Sequence, residues 1–392
     1  MPLKIVIVSG FPLHKNPRTV KEAATWADEG HSVTILTACF TQVDRDRDNY
    51  LIDNRWQVVN VLDLLSAGFW EKFFIKGRRR FLIGLFQLFG YQSIGQLGYT
   101  SFQLKRWCKL HEADLYSLHL ESSLAVMKVI VDRKRKFVVD FEDWYSKDLL
   151  PQDQNKRPVK LLESLERYAL EHCSFATAAS KSMGNAISEF YNVPPPLAIY
   201  NCFSLEPIMA SDKLKEGTLR IVWFSQTIGP GRGLEQLALV LSEFDSELHL
   251  IGEISDEFEK KMKSIASSIF VHSPVLHQDL ITTLATFDIG FAGELSEPEN
   301  RNVTITNKVF QYLLAGLPMI VSRTDGQLEL LKDIPEVATF YDDLESLKKC
   351  IAHWMDQDFL ERGHKAALEI ASNTFNWRVE SRKLVNLLDY NF

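Results

Sequence analysis

Residues 4–8, KIVIV, form a short apolar run that stops at Ser9 and Gly10, and from Pro17 onward apolar positions recur at helical spacing instead. A run that short and that rich in β-branched residues predicts a buried strand. Asn16-Pro17 supplies a cap and a proline at the first helical position, so a helix runs toward Glu29 and Gly30 ends it. VTILT at 33–37 is the next strand and completes a β–α–β unit. The same alternation predicts strands at 57–61, 114–119 and 136–141, which together make a doubly wound parallel sheet. Pro194, Pro195 and Pro196 interrupt regular structure, and IYNCF at 199–203 is the expected last strand before the chain changes domain.

The alternation then restarts. LRIVWFS at 219–225, a glycine-rich loop, a helix from Leu234 to Phe244 and LHLIG at 248–252 repeat the opening order, and strands are predicted at 269–272, 288–293, 318–322 and 338–341. The expectation is an α/β protein of two similar domains, residues 1–205 and 206–375, with a final helix in 376–392. Ligands of such sheets sit at the carboxyl ends of strands, which makes a cleft between the domains the expected site.

Composition narrows the partners. With 392 residues the chain is long for one core, and 46% hydrophobic with 24% charged residues is ordinary for a globular protein. A net charge of −7 argues against a nucleic-acid-coating protein. Five widely spaced cysteines without a Cys-x-x-Cys pair suit free thiols in a reducing compartment. The N-terminal run reads as a first strand instead of a signal peptide, and no 18-residue apolar run is present for a membrane span, so a cytoplasmic location is expected.

Two basic residues stand where a cation is unwelcome unless an anion joins it. In NKVFQYLLAGLPMIVS (307–322) the apolar positions Val309, Phe310, Leu313 and Leu314 predict a helix from Asn307 to Ala315, capped by Thr306 and ended by Gly316 and Pro318. Lys308 then lies in the first turn, where free N–H groups already present positive charge. In SQTIGPGRG (225–233) the chain leaves a buried strand and enters a helix through Gly229, Gly231 and Gly233, with Arg232 among them. A phosphate would reconcile both; a solvated lysine and a solvated arginine on a flexible turn are the alternative.

These segments resemble those of the family four, or group 1, glycosyltransferases of the GT-B fold, in which two Rossmann-like domains face a central cleft and a sugar nucleotide is the donor. IVWFSQTIGPGRGLEQLALVL, then NKVFQYLLAGLPMIVS followed by DGQLELL, and the ending FNWRVESRKLVNLLDYNF carry the resemblance. The N-terminal half is similar in architecture and at GFPLHKNPRTVKEAATWADEGHSVTIL. The resemblance implies that Arg232 and Lys308 hold the donor diphosphate, that Gly229, Gly231 and Gly233 let backbone approach it, and that Asn307 and Gln311 join the donor side. This chain departs from the family pattern in carrying Gln226 where an arginine is usual, and Val303 and Gln311 where two glutamates are usual. Glu294 is the candidate to replace the first of those glutamates, with Glu297, Glu299 and Asn300 in the same loop behind it. On the acceptor side the resemblance implies Gly10, His14, Asn16 and Arg18 after the first strand, His119 at the end of DLYSLH, and Glu142 and Asp143 at the end of KFVVDF.

Three further stretches bear on function. DRDRD (44–48) contains Asp-x-Asp but alternates with arginine in what reads as a polar loop, and no metal is expected. No G-x-G-x-x-G follows the first strand, which leaves a nicotinamide cofactor unsupported. FWEKFFIKGRRRFLIGLFQLFG (69–90) mixes aromatics with Lys72, Lys76, Arg78, Arg79 and Arg80; it reads either as a helix on an anionic membrane surface or as a helix pair with an apolar side in the core. The functional expectation is a metal-independent, retaining glycosyltransferase of cell-surface glycan assembly. It would use a UDP- or GDP-type sugar nucleotide as substrate with no separate cofactor, act on a saccharide or lipid-linked acceptor, sit peripherally at the inner membrane face through 69–90, and bind no nucleic acid. A catalytically silent GT-B binding partner and a sugar-nucleotide epimerase or hydrolase are the alternatives.

Overall fold

The computed structural model describes residues 2–205 and 217–391, so the expected start of the second domain at 206 lies outside the described residues. The chain divides into two compact units, residues 1–199 with 381–392, and residues 200–380.

The first unit is built on seven parallel strands, β1 Lys4–Val8, β2 Ser32–Cys39, β3 Trp56–Asp63, β4 Leu115–His119, β5 Lys136–Phe141, β6 Ala176–Ala178 and β7 Leu197–Ala198, in the spatial order β3-β2-β1-β4-β5-β6-β7. Ile5 through Val8 have no exposed surface, as expected where helices cover both faces of a parallel sheet. Helix α1, Pro17–Asp28, carries the chain from β1 to β2 and buries Ala23 and Trp26 beneath it. Leu384 and Leu388 near the end of the chain complete this core. The strand order reverses between β1 and β4, so the loops after these two strands diverge and leave room at their carboxyl ends.

The structure corrects three expectations here. IYNCF is not a strand: the two-residue β7 precedes it, and its backbone finds side chains, with Arg18 Nη1 donating to the Ile199 carbonyl at 2.7 Å and Tyr200 N donating to Glu380 at 2.9 Å. DRDRD is not a loop but part of helix α2, Gln42–Asn49, started by a capping box between Thr41 and Asp44. Residues 69–90 are not a helix pair; they form one helix, α3, Phe69–Phe89, closed by Gly90 at φ +67°.

The second unit repeats the plan with six parallel strands, β8 Leu219–Ile228, β9 Ser246–Ile254, β10 Ile269–His272, β11 Ile289–Ala292, β12 Met319–Ser322 and β13 Ala338–Tyr341, in the order β10-β9-β8-β11-β12-β13. The reversal falls between β8 and β11. β8 outruns its predicted end because the pairing with β9 resumes after an irregularity between Phe224 and Thr227, so Gln226, expected one residue past the strand, lies exposed within it. The helix Asn307–Leu314 packs its Tyr312 ring over β11 at Gly290, where an added Cβ would come within 2.4 Å of the ring. The Tyr312 hydroxyl lies 3.0 Å from the carbonyl oxygens of both Val222 and Phe291. This contact fixes where the start of that helix, and with it Lys308, meets the strand ends.

Candidate functional site

At the reversal point of the second sheet, the loop after β8 and the loop after β11 bring opposite charges together. Gly231 and Gly233 take φ +81° and +72°, a backbone state that side chains resist. At Gly233 a Cβ would also meet the Tyr341 hydroxyl at 2.4 Å and the Phe291 ring at 3.2 Å. Gly229, by contrast, has open space around it. The tight turn aims Arg232, between those two glycines, at the buried carboxylate of Glu294, with which Arg232 Nη1 pairs closely. Glu294 is held in turn by its own N–H, which donates to Ser322 Oγ at 2.8 Å. Arg301 adds a second cation: Nε lies 3.8 Å from Glu294, and Nη1 donates to the Gly231 carbonyl at 3.3 Å.

Lys308 completes the group. Thr306 occupies the cap position of the helix Asn307–Leu314 but makes no side-chain capping bond; Val309 N donates to the Thr306 carbonyl at 3.1 Å, while the N–H groups of Asn307 and Lys308 make no hydrogen bond among the described residues. The Lys308 ammonium lies 4.8 Å from the Trp223 ring centre and 5.8 Å from that of Phe224, and makes no hydrogen bond among the described residues. Burial pulls its pKa down to about 8; Glu294 works against that shift and Arg232 with it. Arg232 and Arg301 thus approach one carboxylate, and the Lys308 ammonium, within electrostatic reach of Glu294 and Arg232, has no hydrogen-bonding partner of its own among the described residues. Asn307 is exposed at the same helix start and accepts a hydrogen bond from Asn201 at 3.0 Å. Val303 and Gln311 are both buried, Val303 at the end of the short helix Glu299–Val303. Glu297 and Glu299 are exposed, whereas Asn300 is buried and accepts from Thr304.

The first unit gathers its own charges at the equivalent reversal, between the ends of β1, β4 and β5. Arg18 and Glu22 stand one turn apart on α1, His119 ends β4, Asp140 lies in β5 just before its last residue Phe141, and Glu142 follows that strand. The Arg18 guanidinium clamps Asp140 through Nε and through Nη2 at 2.8 Å. Thr177 Oγ1 donates to the same carboxylate at 2.6 Å. His119, with no exposed surface, meets a carboxylate on each ring nitrogen, Glu142 at Nδ1 and Glu22 at Nε2, both at 2.8 Å. Although burial opposes it, the Glu22 charge and the bonds from Glu142 and Glu22 raise the His119 pKa well above the usual value. Glu22 and Asp140 are held below the ordinary carboxylate range, the first mainly by His119 and the second mainly by Arg18, against burial in both cases. Trp26 Nε1 donates to Glu22 at 2.9 Å and Asn16 Nδ2 to Glu142 at 2.8 Å.

Ligand atoms of Glu22, His119 and Asp140 lie within 4.8 Å of one another, the spacing a cation site requires. Arg18 already occupies the open side of Asp140, and both nitrogens of His119 face carboxylates, so neither offers a lone pair to an ion. Asp143 is half-buried next to Glu142. Gly10, at φ +66°, packs so closely that a Cβ would lie 2.6 Å from Thr100 Oγ1. His14 is drawn away from the cluster to α2, where Nδ1 meets Asp48 at 2.7 Å, and Lys15 pairs with Asp44 at 2.7 Å. Asp44 and Asp48 of DRDRD therefore anchor the loop after β1. Sequence reasoning missed Glu22, Asp140 and Arg301. The signal for Asp140 was there, a carboxylate inside the apolar run KFVVDF, and Glu22 follows Arg18 at the i+4 spacing of a shared helix face.

The family described as "Glycosyl transferase-like" matches residues 234–385. No curated protein matches the chain by sequence. Among solved structures, a sucrose-phosphate synthase from Thermosynechococcus elongatus superimposes with a TM-score of 0.73 at 15% identity, covering 98% of each chain. Anabaena HepE in complex with UDP-glucose gives 0.68 at 14% identity, over 99% of this chain and 100% of that one. S. aureus TarM, in a complex that includes UDP and α-GlcNAc-glycerol, gives 0.67 at 11% identity, over 98% and 99%. At such identities the shared property is the fold, and it spans the whole length of the chain.

Proposed function

We propose that this chain, a glycosyltransferase of the GT-B fold by its C-terminal family match and its architecture, moves a sugar from a UDP-type sugar nucleotide to a glycan or lipid-linked acceptor with retention of configuration. The observation that carries the reading is the Arg232–Glu294 ion pair with Lys308 within electrostatic reach of both, at the strand reversal of the second unit. A diphosphate entering there takes the arginine fork and the ammonium and adds the free N–H groups of the helix start. Glu294, released from Arg232, turns to a hydroxyl of the donor sugar. As the bond to the sugar breaks, negative charge grows on the leaving diphosphate, and the same donors hold it more tightly than in the ground state. HepE with UDP-glucose and TarM with UDP support the uridine assignment. On the acceptor side Glu142, the least buried member of its cluster, is the group to meet a hydroxyl, with Asn16 and His119 holding it in place.

Helix α3 belongs to the same proposal. No described helix is long and apolar enough to cross a membrane. Yet α3 buries only Ile75 and leaves Phe69, Trp70, Phe73 and Phe74 at 58–74% exposure, with five cations against one glutamate along its length. Rings and cations combined suit an anionic bilayer surface, where a lipid-linked acceptor of surface-glycan assembly would be found.

Melting temperature against UDP, GDP, ADP, TDP and CDP tests the donor site, since a ligand at 100 times its Kd stabilises the native state by about 2.7 kcal/mol. UDP is expected to give the largest shift, and the anomeric signal of the product is expected to match the donor. No shift with any diphosphate overturns the reading. A UDP shift without transfer to any acceptor would favour a silent binding protein, the alternative that the uncharged Val303 and Gln311 suggest.

A further inference from the structure

The first unit also holds a cavity of about 230 Å³ between α3 and the segment around residues 149–158. It is smaller than the pockets that enclose whole drug-sized ligands and far too small for a sugar nucleotide. Its wall joins two chemistries. Ile83, Phe86 and Leu149 supply apolar surface, and Arg79, Lys156 and Arg157 supply three cations against the single carboxylate of Glu121.

The cations are not equally satisfied. Arg157 pairs closely with Glu121, with Asp148 at 3.7 Å from its other branch, and Lys156 pairs with Asp153 at 2.5 Å. Arg79 makes no ion pair among the described residues, although its charge is felt at Glu121. Its guanidinium stacks 4.8 Å above the Tyr99 ring, and its Nε is buried without a hydrogen bond. A buried donor on a permanent cation is costly unless something accepts from it, and the one carboxylate of the cavity is already engaged by Arg157.

We propose that this cavity is an anion site that takes the phosphate of an amphiphile, with Arg79 as its principal donor and the apolar wall against the non-polar part of the ligand. The placement on α3 makes the site continuous with the helix assigned above to the membrane, and the proposal rests on that reading of α3. Phosphate matches a planar guanidinium fork, and stacking on Tyr99 fixes the plane of that fork in advance. The chemistry is shared by a lipid headgroup and by a soluble phosphate, and affinity separates the two.

The test is calorimetric titration of the full chain with inorganic phosphate and with short-chain phosphatidylglycerol kept below its micelle concentration. The wild type, Arg79→Gln, Ile83→Glu and the control Arg106→Gln, exposed and outside both α3 and the cavity wall, are compared. The expected result is tighter binding of the lipid than of phosphate, weakened about tenfold or more by Arg79→Gln, abolished by the carboxylate of Ile83→Glu, and unchanged by Arg106→Gln. Equal, Arg79-dependent affinity for both probes supports the anion site but assigns it to soluble phosphates. Binding that ignores Arg79 and Ile83, or none at all, overturns the proposal. The UDP thermal shift, measured on each variant, checks folding and keeps the outcomes apart, because losing the lipid site leaves it intact. Vesicle binding provides the other separation: wild-type protein that takes the monomeric lipid but ignores anionic vesicles would refute the membrane role of α3 and not the cavity.

Discussion

Both units gather charge at the place where their strand order reverses, but they settle it differently. In the first, Arg18 and His119 are matched by Glu22, Asp140 and Glu142, nearly all of it under cover, and each buried carboxylate finds at least one cation within hydrogen-bond reach. In the second, Arg232 and Arg301 approach Glu294, and the Lys308 ammonium has aromatic rings for neighbours and no hydrogen-bond acceptor among the described residues. A cluster whose charged members all pair with one another stabilises the fold and orients whatever lies at its rim. A cluster short of negative charge is completed by a ligand. The same sheet topology therefore supports one site whose loss should unfold the protein and one whose loss should silence it.

The largest effect on activity should come from Lys308→Ala, which is expected to lower turnover with a sugar nucleotide by about 10²- to 10³-fold, the range found when one donor to a developing oxyanion is removed. Its melting temperature without ligand should stay level or rise, because a partly desolvated charge is gone; a marked fall would move Lys308 into the structural class. Next, His119→Ala should cost about 3–5 kcal/mol of stability, since it strands two carboxylates among buried groups, with UDP affinity per folded molecule unchanged. Denaturant unfolding measures the first and titration the second. Arg232→Ala should raise the UDP Kd about tenfold or more, the cost of losing a charge-assisted bond.

The pH responses of the two clusters should also diverge. With a folded pKa raised well above the unfolded value, His119 contributes stability that is complete below about pH 6.5 and fades only as pH climbs through that raised value. The lowered values of Glu22 and Asp140 put their contribution above the ordinary carboxylate range, and it is lost as pH falls through the depressed values. Stability from this cluster should accordingly be flat through neutrality, and the His119 ring protons should not titrate there by NMR. Lys308 behaves in the opposite way. Below pH 8 it is charged with or without diphosphate and affinity is level; above pH 8 binding must restore a proton, so affinity falls by up to tenfold per unit.

Much of this was legible in the chain because parallel strands buried on both faces are continuous apolar runs. β1, β5, β10 and β13 lie where KIVIV, KFVVDF, IFVH and ATFY place them. β6 is only three residues long and β7 two, too short for any period to register, and that is why IYNCF drew the assignment that belongs just before it. Arg232 and Glu294 were legible as strand-end residues with chemistry. Their pairing was not, because it spans 62 positions and depends on how the glycine turn is folded. The first cluster hid for a related reason: Glu22 looks like a solvated helical residue until β4 and β5 are set beside α1.

The most direct test of the central claim, that Lys308 is an under-neutralised cation awaiting a diphosphate, is titration of UDP by calorimetry at pH 8 in two buffers of different ionisation enthalpy. With its pKa near 8 the free lysine is about half protonated, and a bound diphosphate should complete it, so uptake of up to about half a proton per UDP is predicted, and none in Lys308→Met. Uptake that is absent from the wild type, or that survives in the variant, would contradict the account.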